Sequence, residues 1–173
     1  EAGCRNLNLL CKGSLKHCEG QLGKSPEQHL QEILQVISYA ESKGVSVNVY
    51  LEDWSNGMKD SPEYVYALVE GLRHSGIRRF MLPDTLGVLN PKHLIRYVRQ
   101  MVKRFPELHF DFHAHNDYDL AISNVLAAVW AGCKGIHTSV NGLGERAGNA
   151  PLASVQAILK DQFHATTNLD ESR

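Results

Sequence analysis

The chain of 173 residues carries 18 Lys plus Arg against 19 Asp plus Glu, a formal net charge of −1, so no basic face is expected that would neutralise a phosphate backbone. Its 43% hydrophobic content can bury the core of one domain, and its apolar runs fall far short of the roughly 20 residues that span a bilayer. Cys4, Cys11, Cys18 and Cys133 form no Cys-x-x-Cys pair and no charged-then-apolar leader opens the chain, so a soluble, cytoplasmic protein with reduced thiols is expected, with neither nucleic acid nor membrane as partner.

The chain opens at Glu1 without a Met and runs almost directly into Leu7-Asn8-Leu9-Leu10-Cys11, as expected of a piece of a longer protein. Asn6 to Cys11 predicts a strand, and a polar stretch rich in Gly, Ser, Lys and His predicts a loop after it. Ser25-Pro26-Glu27 has the form of an N-cap with proline at the first helical position, opening an amphipathic helix through Ile33, Leu34, Ile37 and Ala40 to Lys43-Gly44. Val45 to Leu51 predicts a second strand, and Ser61-Pro62-Glu63 caps a helix through Tyr64, Leu68 and Leu72 towards Gly76. Ile77 to Leu82 is the third strand, Asn90-Pro91 starts a helix through Leu94, Ile95, Val98 and Met101, and Leu108 to Ala114 is the fourth strand. A helix from about Tyr118 to Ala131, a strand from Gly135 to Val140 and a helix from Pro151 to Leu159 complete five βα units.

Strands alternating with helices at this spacing imply an α/β fold with a parallel sheet and right-handed crossovers, either doubly wound or a barrel. A complete barrel has eight units in about 250 residues, so a barrel reading makes this chain part of one. In both architectures the ligand site lies at the carboxyl ends of the strands. The residues there are Gly13-Ser14, Glu52-Asp53, Asp84-Thr85, His113-x-His115-Asn116-Asp117 and Asn141 to Arg146.

Two residues apart at a strand end, His113 and His115 point their imidazoles to the same face, either as a shared metal site or as two exposed histidines. Asp117 reads as a further polar group of that site or as the N-cap of the next helix. The loop Asn141 to Asn149 holds three glycines before a helix, which suits close approach of backbone amides to an anionic or carbonyl ligand, but also an ordinary turn with a local Glu145–Arg146 ion pair. Glu52 ends a strand that points Tyr50 and Asn48 to its own face, so its carboxylate faces the open end as a ligand contact or as a solvated loop acid. Thr85 is placed to donate a hydrogen bond to a substrate carboxylate, while Asp84 orders the loop by bonding nearby amides.

Asp84-Thr85-Leu86-Gly87, Phe112-His113-Ala114-His115-Asn116-Asp117 and Asn141-Gly142-Leu143-Gly144-Glu145-Arg146-Ala147-Gly148-Asn149 occur in that order, and together they are specific. In them the chain resembles the isopropylmalate synthase and homocitrate synthase family of metal-dependent TIM barrels, and Gly13-Ser14-x-x-His17 and Glu52-Asp53 extend the resemblance over essentially the whole chain. The resemblance implies a partial (β/α)₈ barrel whose five strands are the fourth to eighth, so that residues 1–173 are the C-terminal part of a catalytic barrel. By it His113 and His115 bind a divalent cation (Mn, Mg, Zn or Co) and Asn149 lies at or beside that metal. Glu52, the candidate catalytic group, and Thr85 contact the keto acid, and the loop with Gly142, Gly144 and Glu145 lies where acyl-CoA is approached.

The family's remaining metal ligand is an Asp beside an Arg on the first strand, and nothing before Leu7 supplies it. Where the family often has an aromatic residue and then Gly after His-Asn-Asp, this chain has Tyr118 and Asp119. The implied reaction is a Claisen condensation of acetyl-CoA with a 2-oxo acid. 2-Oxoisovalerate, giving 2-isopropylmalate for leucine synthesis, is the expected substrate, and homocitrate and citramalate synthesis are the alternatives. A lyase of the same family uses a cysteine in the loop after the last strand, and Asn141 to Asn149 has none. The contrasting reading is a half-barrel without turnover, whose unpaired sheet edges promote self-association into a homo-oligomer.

Overall fold

In the computed structural model, which describes residues 3–169, five segments of alternating polarity form strands. They are β1 (Asn6–Lys12), β2 (Ser46–Glu52), β3 (Phe80–Asp84), β4 (Phe110–Ala114) and β5 (Gly135–His137). The sheet runs in the order β1-β2-β3-β4-β5 and every pairing is parallel. A doubly wound sheet reverses its order at a switch point, whereas a barrel adds each strand beside the one before. The sequential order therefore decides what the count of units left open: these are consecutive units of a TIM barrel.

One face of the sheet packs on helices. Val47, Val49, Leu51, Phe80, Leu82, Phe110 and Phe112 are buried in a single cluster with Ile33 and Ile37, Leu68 and Leu72, Leu94 and Met101, and Val125 and Ala128. Those four pairs belong to α2 (Pro26–Ser42), α4 (Pro62–Leu72), α5 (Pro91–Arg104) and α6 (Ala121–Ala131). Asn48, Tyr50 and His113 alternate with these residues and stay only partly buried on the opposite, inner face. There Asn48 Nδ2 donates to Asn8 Oδ1 at 3.0 Å across the β1–β2 pair. Met81, on the same face, is buried yet stands outside the apolar cluster.

Prolines at the first helical position start α2, α4 and α5 as expected, and Ser25 with Gln28 closes a reciprocal capping box. Ser61 does not cap α4 with its side chain; its Oγ accepts from the Leu15 amide at 3.2 Å instead. α1 (Leu15–Leu22) falls where the sequence predicted loop, and α3 (Trp54–Asp60) where it predicted no element. α1 is capped by Ser14, which accepts from the His17 amide, and stops at Gly23 in the left-handed region. The helix expected from Tyr118 begins only at Ala121, because Asp119 has a φ of 56° and Asn116 Oδ1 accepts from the Ala121 amide at 3.0 Å. β5 ends at His137 rather than Val140, which opens a short 3₁₀ turn, Val140–Gly142, ahead of α7 (Leu152–Phe163).

The β1 edge is tied to the helices by a closed ring of hydrogen bonds. The Lys12 amide donates to His29 Nε2 (3.4 Å), His29 Nδ1 bonds the Tyr64 hydroxyl (2.8 Å), and that hydroxyl donates to the Lys12 carbonyl (3.0 Å). This uses both nitrogens of a neutral imidazole, and burial, then the nearby Lys24, hold the His29 pKa below its ordinary value. Among the described residues no helix is long and apolar enough to cross a membrane.

Candidate metal centre

Around β4 the sequence is His109-Phe110-Asp111-Phe112-His113-Ala114-His115, and the strand's period of two sends every polar member inward. Beyond the strand's last residue, His115 stays in register and its Nε2 lies 3.3 Å from His113 Nε2. Zinc–imidazole bonds are about 2.0–2.1 Å long, so two such ligands at a tetrahedral angle stand about 3.4 Å apart. The spacing therefore fits one shared cation. Burial, reinforced by His115 and His137, lowers the His113 pKa to about 4, which keeps the ring in the neutral, ligand form at pH 7. The His115 pKa is also lowered, by burial and then by Arg146.

A candidate third donor lies on the loop after β5. A backbone bridge pairs His115 with Asn149, and Asn149 Oδ1 is buried without a hydrogen-bond partner. An unsatisfied buried acceptor costs about 1–3 kcal/mol, and a cation within its reach would remove that cost. Gly144 makes the approach feasible: a Cβ there would lie 2.7 Å from the Asn149 side chain. Among the described residues no three His, Cys, Asp or Glu side chains are grouped to hold a metal, so the candidate donors are two imidazoles and one amide oxygen. Imidazole suits zinc, cobalt and manganese, and the oxygen moves the preference towards harder ions.

His137 is a third imidazole in this layer, paired in register with His113 at a ring-centroid distance of 5.6 Å. It is not free to bind metal, because Nδ1 bonds the Tyr50 hydroxyl and Nε2 lies 3.4 Å from Asp111 Oδ2. Asp111 also bonds His109 at 2.7 Å and has Arg79 at 3.5 Å. Burial pushes the Asp111 carboxyl up, but the bonds from His137 and His109 outweigh it and hold the pKa below its ordinary value. Tyr50, His137 and Asp111 thus form a fixed wall beside and beneath His113. Sequence reasoning passed over His137 and Asp111; the strict alternation along β4 was the signal that would have found Asp111.

The other predicted residues are placed as follows. Glu52 pairs with Lys12 at 2.5 Å on the inner face. Thr85 Oγ1 accepts from the Asp53 amide at 2.8 Å, which leaves the hydroxyl proton free to donate. Asp84 does order its loop, accepting from the Leu89 amide at 2.9 Å. The Gly142 amide donates to Ser139 within the loop, and Glu145 is exposed at the rim. Asp117 is not a helix cap: its carboxylate is held by Arg146 at 2.7 and 3.0 Å, which lowers its pKa. The Glu145–Arg146 contact is the looser one, at 3.6 Å.

All residues, 1–173, match a family model described as HMGL-like. The chain belongs to the HMGL-like family. It is 39% identical over 147 residues to homocitrate synthases of Sulfolobus acidocaldarius and of Sulfurisphaera tokodaii. Each match covers 85% of this chain and 31% of the relative, so the chain spans about a third of the length of those proteins. Among solved structures, the HMG-CoA lyase of Pseudomonas aeruginosa superposes with a TM-score of 0.85 at 22% identity, covering 98% of this chain and 59% of that one. The Bacillus subtilis HMG-CoA lyase superposes with a TM-score of 0.84 at 27% identity, covering 96% and 59%.

Proposed function

We propose that this chain is the metal- and substrate-holding part of an enzyme that condenses acetyl-CoA with a 2-oxo acid, of the homocitrate synthase kind. The observation that carries the reading is the pair of Nε2 atoms 3.3 Å apart, with an unpartnered buried Oδ1 on Asn149, the residue whose backbone is bridged to His115. A divalent cation held by His113, His115 and Asn149 supplies Lewis acidity to the carbonyl of the 2-oxo acid. Thr85 donates its free hydroxyl proton to the acid's carboxylate. Glu52, on the inner face against Lys12, is the proposed group that receives a proton from the acetyl methyl carbon. The methyl carbon forms the new C–C bond to the carbonyl carbon, the carbonyl oxygen takes up a proton, and hydrolysis of the thioester releases CoA.

Relatives at 36–39% identity carry the name homocitrate synthase, which favours that product over the 2-isopropylmalate and leucine synthesis expected from the motifs. Assaying the full-length protein for CoA release with each 2-oxo acid tests this. Selective turnover of the homocitrate-forming acid supports the reading, and faster turnover of 2-oxoisovalerate refutes it. A second reading, a stretch that binds metal weakly and does not turn over by itself, is favoured by the finding that among the described residues no third His, Cys, Asp or Glu joins the two histidines.

A further inference from the structure

We infer that Arg146 is the positioning residue of the cation site: it clamps the 141–149 loop onto the ends of β3 and β4 and so holds Asn149 beside the two histidines. For its effect on metal the inference rests on the reading above; for the clamp itself it does not.

An arginine at the mouth of a strand-end site reads as an anion binder. Here its donors are turned onto the protein itself. Nε donates to Asp117 Oδ1 at 2.7 Å, and Nη2 donates to Asp117 Oδ2 at 3.0 Å and to the Thr85 carbonyl at 2.8 Å. The forked pairing with one carboxylate fixes the guanidinium plane, which a lysine ammonium cannot reproduce. Asp117 is seated against Gly87, where a Cβ would lie 2.6 Å from the carboxylate. All three motifs therefore meet at one point: Thr85 and Gly87, then Asp117, then Arg146.

The loop needs such a clamp. Asn141 and Arg146 themselves, with φ of 56° and 55°, occupy the left-handed region disfavoured for side-chain-bearing residues. Strain of this kind persists only where surrounding contacts over-determine the backbone. Backbone bonds also tie it: the Asn116 amide donates to the Gly148 carbonyl at 2.9 Å, the Asn149 amide to the Gly142 carbonyl at 2.9 Å, and the Ser139 amide to the Ala150 carbonyl at 3.1 Å. Release of Arg146 leaves backbone bonds alone to tie the Asn149 segment to the strand ends.

The test has two arms. In the cation-free protein, amide hydrogen exchange at Asn116 and Asn149 should accelerate at least about tenfold in Arg146→Lys and in Asp117→Ala, and stay unchanged in the His113→Ala, His115→Ala double variant. Unchanged exchange in both clamp variants overturns the proposal whatever the metal does. In calorimetric Mn²⁺ titration, Arg146→Lys should weaken binding about 10- to 100-fold, as loss of a group supporting a metal ligand typically does. The same change made on Asn149→Ala should weaken it less than twofold further. An equal loss in both backgrounds shows that Arg146 does not act through Asn149 and overturns the proposal. A parent that binds no Mn²⁺ refutes the metal-centre reading, and exchange then decides the clamp.

Discussion

Replacing Gly144 by alanine puts a methyl group where the loop has no room for one. The new carbon would lie 2.7 Å from Cγ and Nδ2 of Asn149 and 2.8 Å from Oδ1. Carbon packs best at about 3.5–4.0 Å, so the amide must retreat by about 1 Å. Metal–ligand distances hold to within about 0.2 Å, and a displacement several times larger takes Asn149 out of the proposed donor set. We expect Mn²⁺ affinity to fall at least about 10-fold, or about 1.4 kcal/mol. The fold should barely notice. Gly144 is not among the glycines in the left-handed region, so alanine is allowed there and restricts the unfolded chain, a gain of about 0.4–1 kcal/mol set against local crowding. Calorimetric titration with Mn²⁺ and a urea melt of the cation-free protein separate the two effects. Unchanged affinity with unchanged stability would refute the placing of Asn149 in the site, and a parent without affinity would refute the centre altogether.

Acidification should destabilise the fold in part through His29. Its folded pKa lies below the ordinary 6.5, so its contribution is complete above that pH and is lost as pH falls from 6.5 through the folded value. Urea melts between pH 7.5 and 5 should show a shallower loss of stability in His29→Gln, and an identical slope would count against the hydrogen-bonded ring with Lys12 and Tyr64. Only Cys4 of the four cysteines should react quickly with a thiol reagent, since Cys11, Cys18 and Cys133 are buried and burial pushes the Cys11 and Cys133 thiols up to about 12. Two or more fast thiols in the native protein would contradict the packing around β1 and β5. Phe112→Ala should cost about 3–5 kcal/mol by urea melting, because the ring is fully buried between β4 and the helices; a loss under 1 kcal/mol would mean the core lies elsewhere.

Much of the architecture was legible because periodicity is local. The apolar partners of Asn48, Tyr50 and Glu52, and the prolines before Glu27, Glu63 and Lys92, placed strands and helix starts to within a few residues. α1 and α3 escaped because they are short and their stability comes from packing on strand ends, which no local pattern reports. Of the two readings of Asp117, the helix cap fails for a related reason. Its partner Arg146 lies 29 residues away, and an acid near a helix start is judged by its neighbours until the chain has closed.

By itself the sequence determined the βα alternation, the inward face shared by His113 and His115, and the strand ends at which chemistry is sought, all consequences of a period of two or 3.6 residues. Only the tertiary structure decided that the sheet is sequential rather than doubly wound. It also decided that His137 is held by Tyr50 and Asp111 rather than offered to a metal, and that the β5 loop folds back to bring Asn149 to His115. These are contacts between segments far apart in the chain, and their geometry exists only once parallel pairing has set the register of every strand against its neighbours.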